Sequence, residues 1–141
     1  MNLSPRQVLG HIVKHALLEG VSVANSLISM FGGFGYVEEA RYLFDHMDDR
    51  DAISWNSIIS ATAQNGQWRE ALGCFNDMRT IHTAPNSTTL SILLNACSDF
   101  ERYKWGKGVH GLVVKSGFST DVLCRQYSLE YVFRGRQMSR C

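Results

Sequence analysis

His11 and His15 stand four residues apart, the spacing at which two imidazoles share one helix face and can chelate zinc. The glutamate of an HExxH motif is missing and no third ligand stands nearby, so no metal is expected. Gly106-Lys107-Gly108 sets a lysine between glycines, the raw material of a phosphate loop. It lacks the upstream glycine and the following Ser or Thr of a P-loop, and it falls inside a helical stripe. Asp45, Asp48, Asp49 and Asp51 cluster without the EF-hand spacing of acids, glycine and terminal glutamate, which makes a solvated surface the default. Cys74, Cys97, Cys124 and Cys141 form no CxxC pair and read as isolated thiols. No nucleophile–base pair is legible. The expectation is a chain that is not an enzyme, takes no small-molecule substrate and needs no cofactor.

The bulk numbers are those expected of a soluble folded protein. Of 141 residues, 45% are hydrophobic and 19% charged, and only two are proline. No stretch approaches the roughly 18 apolar residues that cross a bilayer, so no membrane partner is expected. The net charge of +1 does not announce a nucleic-acid partner. Met1 is followed by Asn-Leu-Ser-Pro-Arg, too brief for a targeting segment, and the expectation is that targeting information is missing or that the chain is cut out of something longer.

Self-similarity decides the architecture. A shift of 31 residues lays Asn25-Ser26 on Asn56-Ser57, Ser29 on Ser60 and Gly35 on Gly66. The same shift lays Glu39-Ala40 on Glu70-Ala71, Phe44 on Phe75 and Met47 on Met78, without a gap. A second match, at 101 residues, lays Val8, Gly10, Val13 and Lys14 on Val109, Gly111, Val114 and Lys115. The chain therefore divides into residues 1–20, the C-terminal part of one repeat, then full units 21–51, 52–86 and 87–121, and a divergent tail 122–141.

Each full unit reads as two helices. In 52–86, Trp55, Ile58, Ile59 and Thr62 make one stripe at three- and four-residue spacing. Asn65-Gly66 interrupts it, and Trp68, Ala71, Leu72, Phe75 and Met78 make a second. In 21–51 the stripes are Asn25–Phe31 and Val37–Met47, with the break placed at Gly32–Gly35. One hairpin cannot bury both of its apolar faces, whereas stacked neighbours can. The fold predicted is all-α: an α-solenoid of stacked helix-turn-helix repeats.

These units resemble successive short, standard and long-type motifs of a plant pentatricopeptide repeat (PPR) protein of the mixed-motif (PLS) subclass. The resemblance rests on Asn25-Ser26-Leu27-Ile28-Ser29-Met30-Phe31, Arg50-Asp51-Ala52-Ile53-Ser54-Trp55-Asn56, Gly106–Gly117 and the unit lengths of 31, 35 and 35 residues. It covers residues 5–121. The tail departs from it: after Asp121 the chain runs through Cys124 to Cys141 with no helical stripe and four arginines. A fragment of a longer array is expected.

What the resemblance implies is sequence-specific binding of single-stranded RNA, one base per repeat, in organellar RNA editing, processing or stabilisation. The location implied is the mitochondrion or chloroplast, and the partners are RNA and other editing or processing proteins. The family's fifth and last motif residues select the base together. Here those are Asn25 with Asp51, and Asn56 with Asn86. An ionised aspartate only accepts hydrogen bonds and suits the N3–H of uracil; an Asn amide can also donate to N3 of cytosine. Uracil is expected at the first unit and a pyrimidine, cytosine favoured, at the second, with the RNA running 5′ to 3′ along the repeats as the resemblance implies. Ile53, second in its unit, is placed to press on a base face, a task for which Ser22 and Thr88 are poorer. Ser91 and Asp121 are the matching pair of unit 87–121, but long-type motifs follow the code weakly.

Plainer roles compete. Asn near a helix start often caps backbone amides, and Asp51 or Asn86 ahead of the next helix could do so too. Trp55 and Trp68 fit core-facing stripes better than base-stacking platforms, and Trp105 is open between the two. Unit 21–51 carries six acids against two arginines, so few phosphate contacts are on offer and the chain alone should bind RNA weakly, about 10⁻⁴ M or looser. A protein-binding scaffold of tetratricopeptide type shares the Ala-x3-Phe spacing of Ala40/Phe44 and Ala71/Phe75. That type keeps a 34-residue period and a different opening motif. A truncated product without independent function is the third alternative.

Overall fold

The computed structural model describes residues 4–81, 83–96, 110–111 and 114–115. It contains α1 (Pro5–Glu19), α2 (Val21–Gly33), α3 (Val37–Asp45), α4 (Ala52–Gln64), α5 (Trp68–Thr80) and α6 (Ser87–Ala96). His110, Gly111, Val114 and Lys115 are also helical. No strand occurs among the described residues, and none of the helices is long and apolar enough to cross a membrane.

Local chemistry marks the helix ends. Ser4 caps α1 through a reciprocal box with Gln7, and Pro5 occupies the first turn, where its missing N–H costs nothing. The first two hairpins close on the same turn, 31 residues apart. Gly35 (φ 84°) and Gly66 (φ 78°) adopt the left-handed conformation. The next amides, Tyr36 N–H and Gln67 N–H, donate back to Phe31 and Thr62 carbonyls at 2.8 and 2.9 Å. The break is shorter than the Gly32–Gly35 expected from sequence. Helix α2 runs on through Gly33, because glycine in a right-handed turn with packing on one side does not stop a helix.

Two layers result. Helices α2, α4 and α6 stack side by side, α2 packing most extensively on α4; α1, α3 and α5 form the second layer. One continuous core joins them, including Ile28, Phe31, Leu43, Phe44, Trp55, Ile58, Ile59, Phe75, Met78, Leu90 and Leu93. This is an all-α helical-repeat solenoid. Trp55 lies in that core, edge-on to Phe44 with ring centroids 4.8 Å apart, as its stripe predicts. Trp68 is half-buried with the Arg69 guanidinium 5.2 Å from its ring centre.

Candidate functional site

The aligned starts of α2, α4 and α6 bring the expected pairs together. Asn25 sits inside α2, Asp51 is the N-cap of α4, and the Asn25 Nδ2 donates to Asp51 Oδ1 at 3.0 Å. One unit on, Asn56 lies inside α4, and its Nδ2 donates to Asn86 Oδ1 at 3.1 Å. Asn86 stands just ahead of α6, where Thr89 N–H donates to its Oδ1 at 3.1 Å.

A third residue closes each cluster. Ser54 N–H donates to Asp51 Oδ1 at 2.8 Å, Asp51 N–H donates to Ser54 Oγ, and the Ser54 hydroxyl lies 2.6 Å from Asn25 Oδ1. Thr89 repeats this: its Oγ1 accepts from Asn86 N–H at 3.2 Å and donates a short bond to Asn56 Oδ1. The hydroxyls are buried, as are Asn25 and Asn56 at 6% and 8% exposure, while Asp51 and Asn86 face solvent. The capping alternative therefore holds for one member of each pair and fails for the other. Asp51 and Asn86 cap helices; Asn25 and Asn56 cap nothing and instead hold the caps of the following unit.

The bonding leaves different atoms outward. Ser54 N–H can only donate, so the atom it meets on Asp51 is an acceptor, and Asp51 Oδ2 carries no hydrogen bond to a described residue. Thr89 N–H imposes the same logic on Asn86. Its oxygen takes the inward bonds, which turns its Nδ2 donor outward. Partial burial pushes the Asp51 carboxyl up, but bonds from Ser54 N–H and the Asn25 amide, with the Ser54 hydroxyl 2.9 Å from the same oxygen, prevail and hold it below the ordinary aspartate value. It is an anion at neutral pH.

Ile53 is 61% exposed on the first turn of α4, beside Ser54. Ser22 and Thr88 are exposed too. Ser91 occupies the register of Asn25 and Asn56 but is buried, and its hydroxyl donates to the Ser87 carbonyl at 2.8 Å. Its expected partner Asp121 lies outside the described residues, as do Trp105, Gly106-Lys107-Gly108, Cys97, Cys124, Cys141 and the tail 122–141. His11 and His15 are exposed, His15 beside Glu19 at 3.3 Å. Among the described residues no cluster of three His, Cys, Asp or Glu is arranged to hold a metal. Sequence reasoning missed Ser54 and Thr89. The signal was a hydroxyl at the third position of two successive units.

The PPR repeat model matches residues 22–51, and the PPR repeat family model matches residues 50–99, together more than half of the chain. A pentatricopeptide repeat-containing protein of Arabidopsis thaliana is 37% identical over 112 residues, which is 79% of this chain and 13% of that protein. The chain belongs to the pentatricopeptide repeat family. Another member from Arabidopsis thaliana, named as chloroplastic, is 34% identical over 131 residues, 92% of this chain and 15% of its own length. A third is 38% identical over 110 residues, 78% of this chain and 16% of that protein. The chain thus spans about a seventh of the length of the pentatricopeptide repeat proteins it matches.

Proposed function

We propose that the chain binds single-stranded RNA sequence-specifically, one base per repeat, as a section of a longer array of the mixed-motif subclass with units at 21–51, 52–86 and 87–121. Asn25/Asp51 and Asn56/Asn86 read the bases, and Ile53 supports one base face. Binding rather than catalysis is the role. The setting is organellar RNA editing, processing or stabilisation in chloroplast or mitochondrion, with the proteins of that machinery as partners; the chloroplastic name of one relative favours it.

One observation carries the reading. The same buried-Asn cluster recurs in two successive units, yet it turns a carboxylate oxygen outward in the first and an amide nitrogen in the second. A carboxylate oxygen accepts from uracil N3–H and repels cytosine N3; an amide nitrogen donates to cytosine N3. The buried Asn holds the reader, and the exposed residue meets the base. With unit 21–51 acidic, phosphate attraction adds little, so selection rests on base edges.

The test is titration of the full isotope-labelled chain at low salt with short A-flanked RNAs that differ at two adjacent positions, followed by NMR. UC should bind best. Asp51→Asn should move preference from uracil toward cytosine at one position only. An unchanged base profile would end the assignment, and a chain that ignores every RNA but captures peptides would favour the scaffold alternative.

A further inference from the structure

We infer that the hydroxyls of Ser54 and Thr89 are positioning residues for base selection, so that each reading site is completed by the third residue of the following unit. This rests on the RNA reading above. The site would then comprise three residues from two units rather than two residues from one.

The bonding order gives the reason. The backbone N–H of Ser54 fixes which Asp51 oxygen points inward, and that oxygen demands a donor from Asn25. Asn25 must therefore present Nδ2 to Asp51, which turns its Oδ1 toward the Ser54 hydroxyl at 2.6 Å. Asn25 is only 6% exposed. Of the two acceptors within reach of the Ser54 hydroxyl proton its Oδ1 is the nearer, 2.6 Å against 2.9 Å for Asp51 Oδ1, so the hydroxyl is what satisfies it. Without it, the Asn25 amide holds a buried acceptor with no partner and is driven to rotate away. Rotation withdraws Nδ2 from Asp51 and frees the carboxylate to swing. Thr89 stands in the same relation to Asn56 and Asn86.

The two clusters are independent instances of one device, with a serine in one and a threonine in the other. A β-hydroxyl is what they share. At the same count, Val23 is third in unit 21–51 and Cys124 is third after Asp121, and neither offers a hydroxyl. A site that depended on either residue would discriminate bases less sharply than the two described.

Two readouts on the full chain test this. In RNA-free protein, the Asn25 side-chain amide protons should exchange slowly with solvent, faster in Ser54→Ala, and slowly again in Ser54→Thr. In the RNA titration, Ser54→Ala should cut the uracil-over-cytosine preference at the first position about three- to tenfold, the reach of one hydrogen bond, and leave the second position alone. Thr89→Val should do the reverse, with Thr89→Ser restoring selectivity. If Ser54→Ala keeps both its amide protection and its preference while Asp51→Asn still shifts the base, the positioning role is wrong and RNA reading stands. If Asp51→Asn shifts nothing, RNA reading falls, and amide exchange alone still decides whether the hydroxyl locks Asn25. Equal loss at both positions in Ser54→Ala would mean only a weakened fold and would overturn the proposal.

Discussion

Gly32 and Ala61 bring α2 and α4 into tight contact: a methyl added at Gly32 would stand 2.6 Å from Ala61 Cβ and 2.9 Å from its Cα. Both figures lie inside van der Waals contact, and the obstacle includes backbone, so α2 and α4 would have to separate. Gly32→Ala should cost about 1–3 kcal/mol of stability, the usual penalty of overpacking. Gly33→Ala is the control. Nothing lies within 4 Å of its added methyl, and the substitution should be neutral or slightly stabilising through helix propensity. Urea denaturation followed by circular dichroism separates them; equal midpoints would refute the close approach.

The Asp51 carboxyl gives the fold an acid-side pH dependence. Its pKa is lower folded than in an unfolded chain, where aspartate titrates near about 3.9. Its contribution is therefore complete above that value and is lost as pH falls toward and through the lower folded value. Asp51→Asn keeps a capping oxygen for Ser54 N–H but cannot titrate. The stability difference between wild type and Asp51→Asn should be flat from pH 7 to 5 and shrink below about pH 4. Asp51→Ala removes the cap altogether and should cost about 0.5–2 kcal/mol at neutral pH.

How much of this was legible in the sequence follows from the range of each signal. The repeat and its helix pairs could be read because Gly35/Gly66, Ala40/Ala71 and Phe44/Phe75 recur at fixed distance, and recurrence survives noise in any single element. The pairing of Asn25 with Asp51 came from family likeness. Neither period nor propensity says that residues 26 positions apart will touch. Ser54 and Thr89 stayed hidden because a hydroxyl in a first helical turn looks like ordinary capping, which each also does. The extent of α2 was misjudged because two glycines were weighed as breakers, while the left-handed turn needs only Gly35.

Asn65 ties two units at their far end. Its Nδ2 donates to the Gly32 carbonyl at 2.9 Å and to the Ala61 carbonyl at 2.7 Å, so the C-cap of α4 adds a second bond to a C-terminal carbonyl of α2 that also accepts from Gly35 N–H. Asn65→Ala removes both bonds and should cost about 1–2 kcal/mol. Asn65→Asp should cost more, because an acceptor-only carboxylate then faces two carbonyl oxygens. The order wild type, Ala, Asp in melting temperature checks this, and a variant pair that melts together would contradict it.

Cys74 is shielded despite its cationic neighbour. Burial pushes the thiol pKa up, and Arg41, whose Nη1 lies 3.1 Å from the sulfur, only partly offsets that. The guanidinium is itself claimed by Glu70 at 2.9 Å and Asp45 at 3.4 Å. Alkylation requires an accessible thiolate, and at 2% exposure Cys74 offers neither access nor charge. Its labelling by iodoacetamide, followed by peptide mass spectrometry at pH 7.5, should lag at least about tenfold behind the urea-unfolded chain. Arg41→Met should not speed the reaction, since it removes the one group that lowers the thiol pKa, provided the variant's melting point is matched. Fast labelling of Cys74 in the native chain would show that α3 and α5 open far more readily than their packing implies.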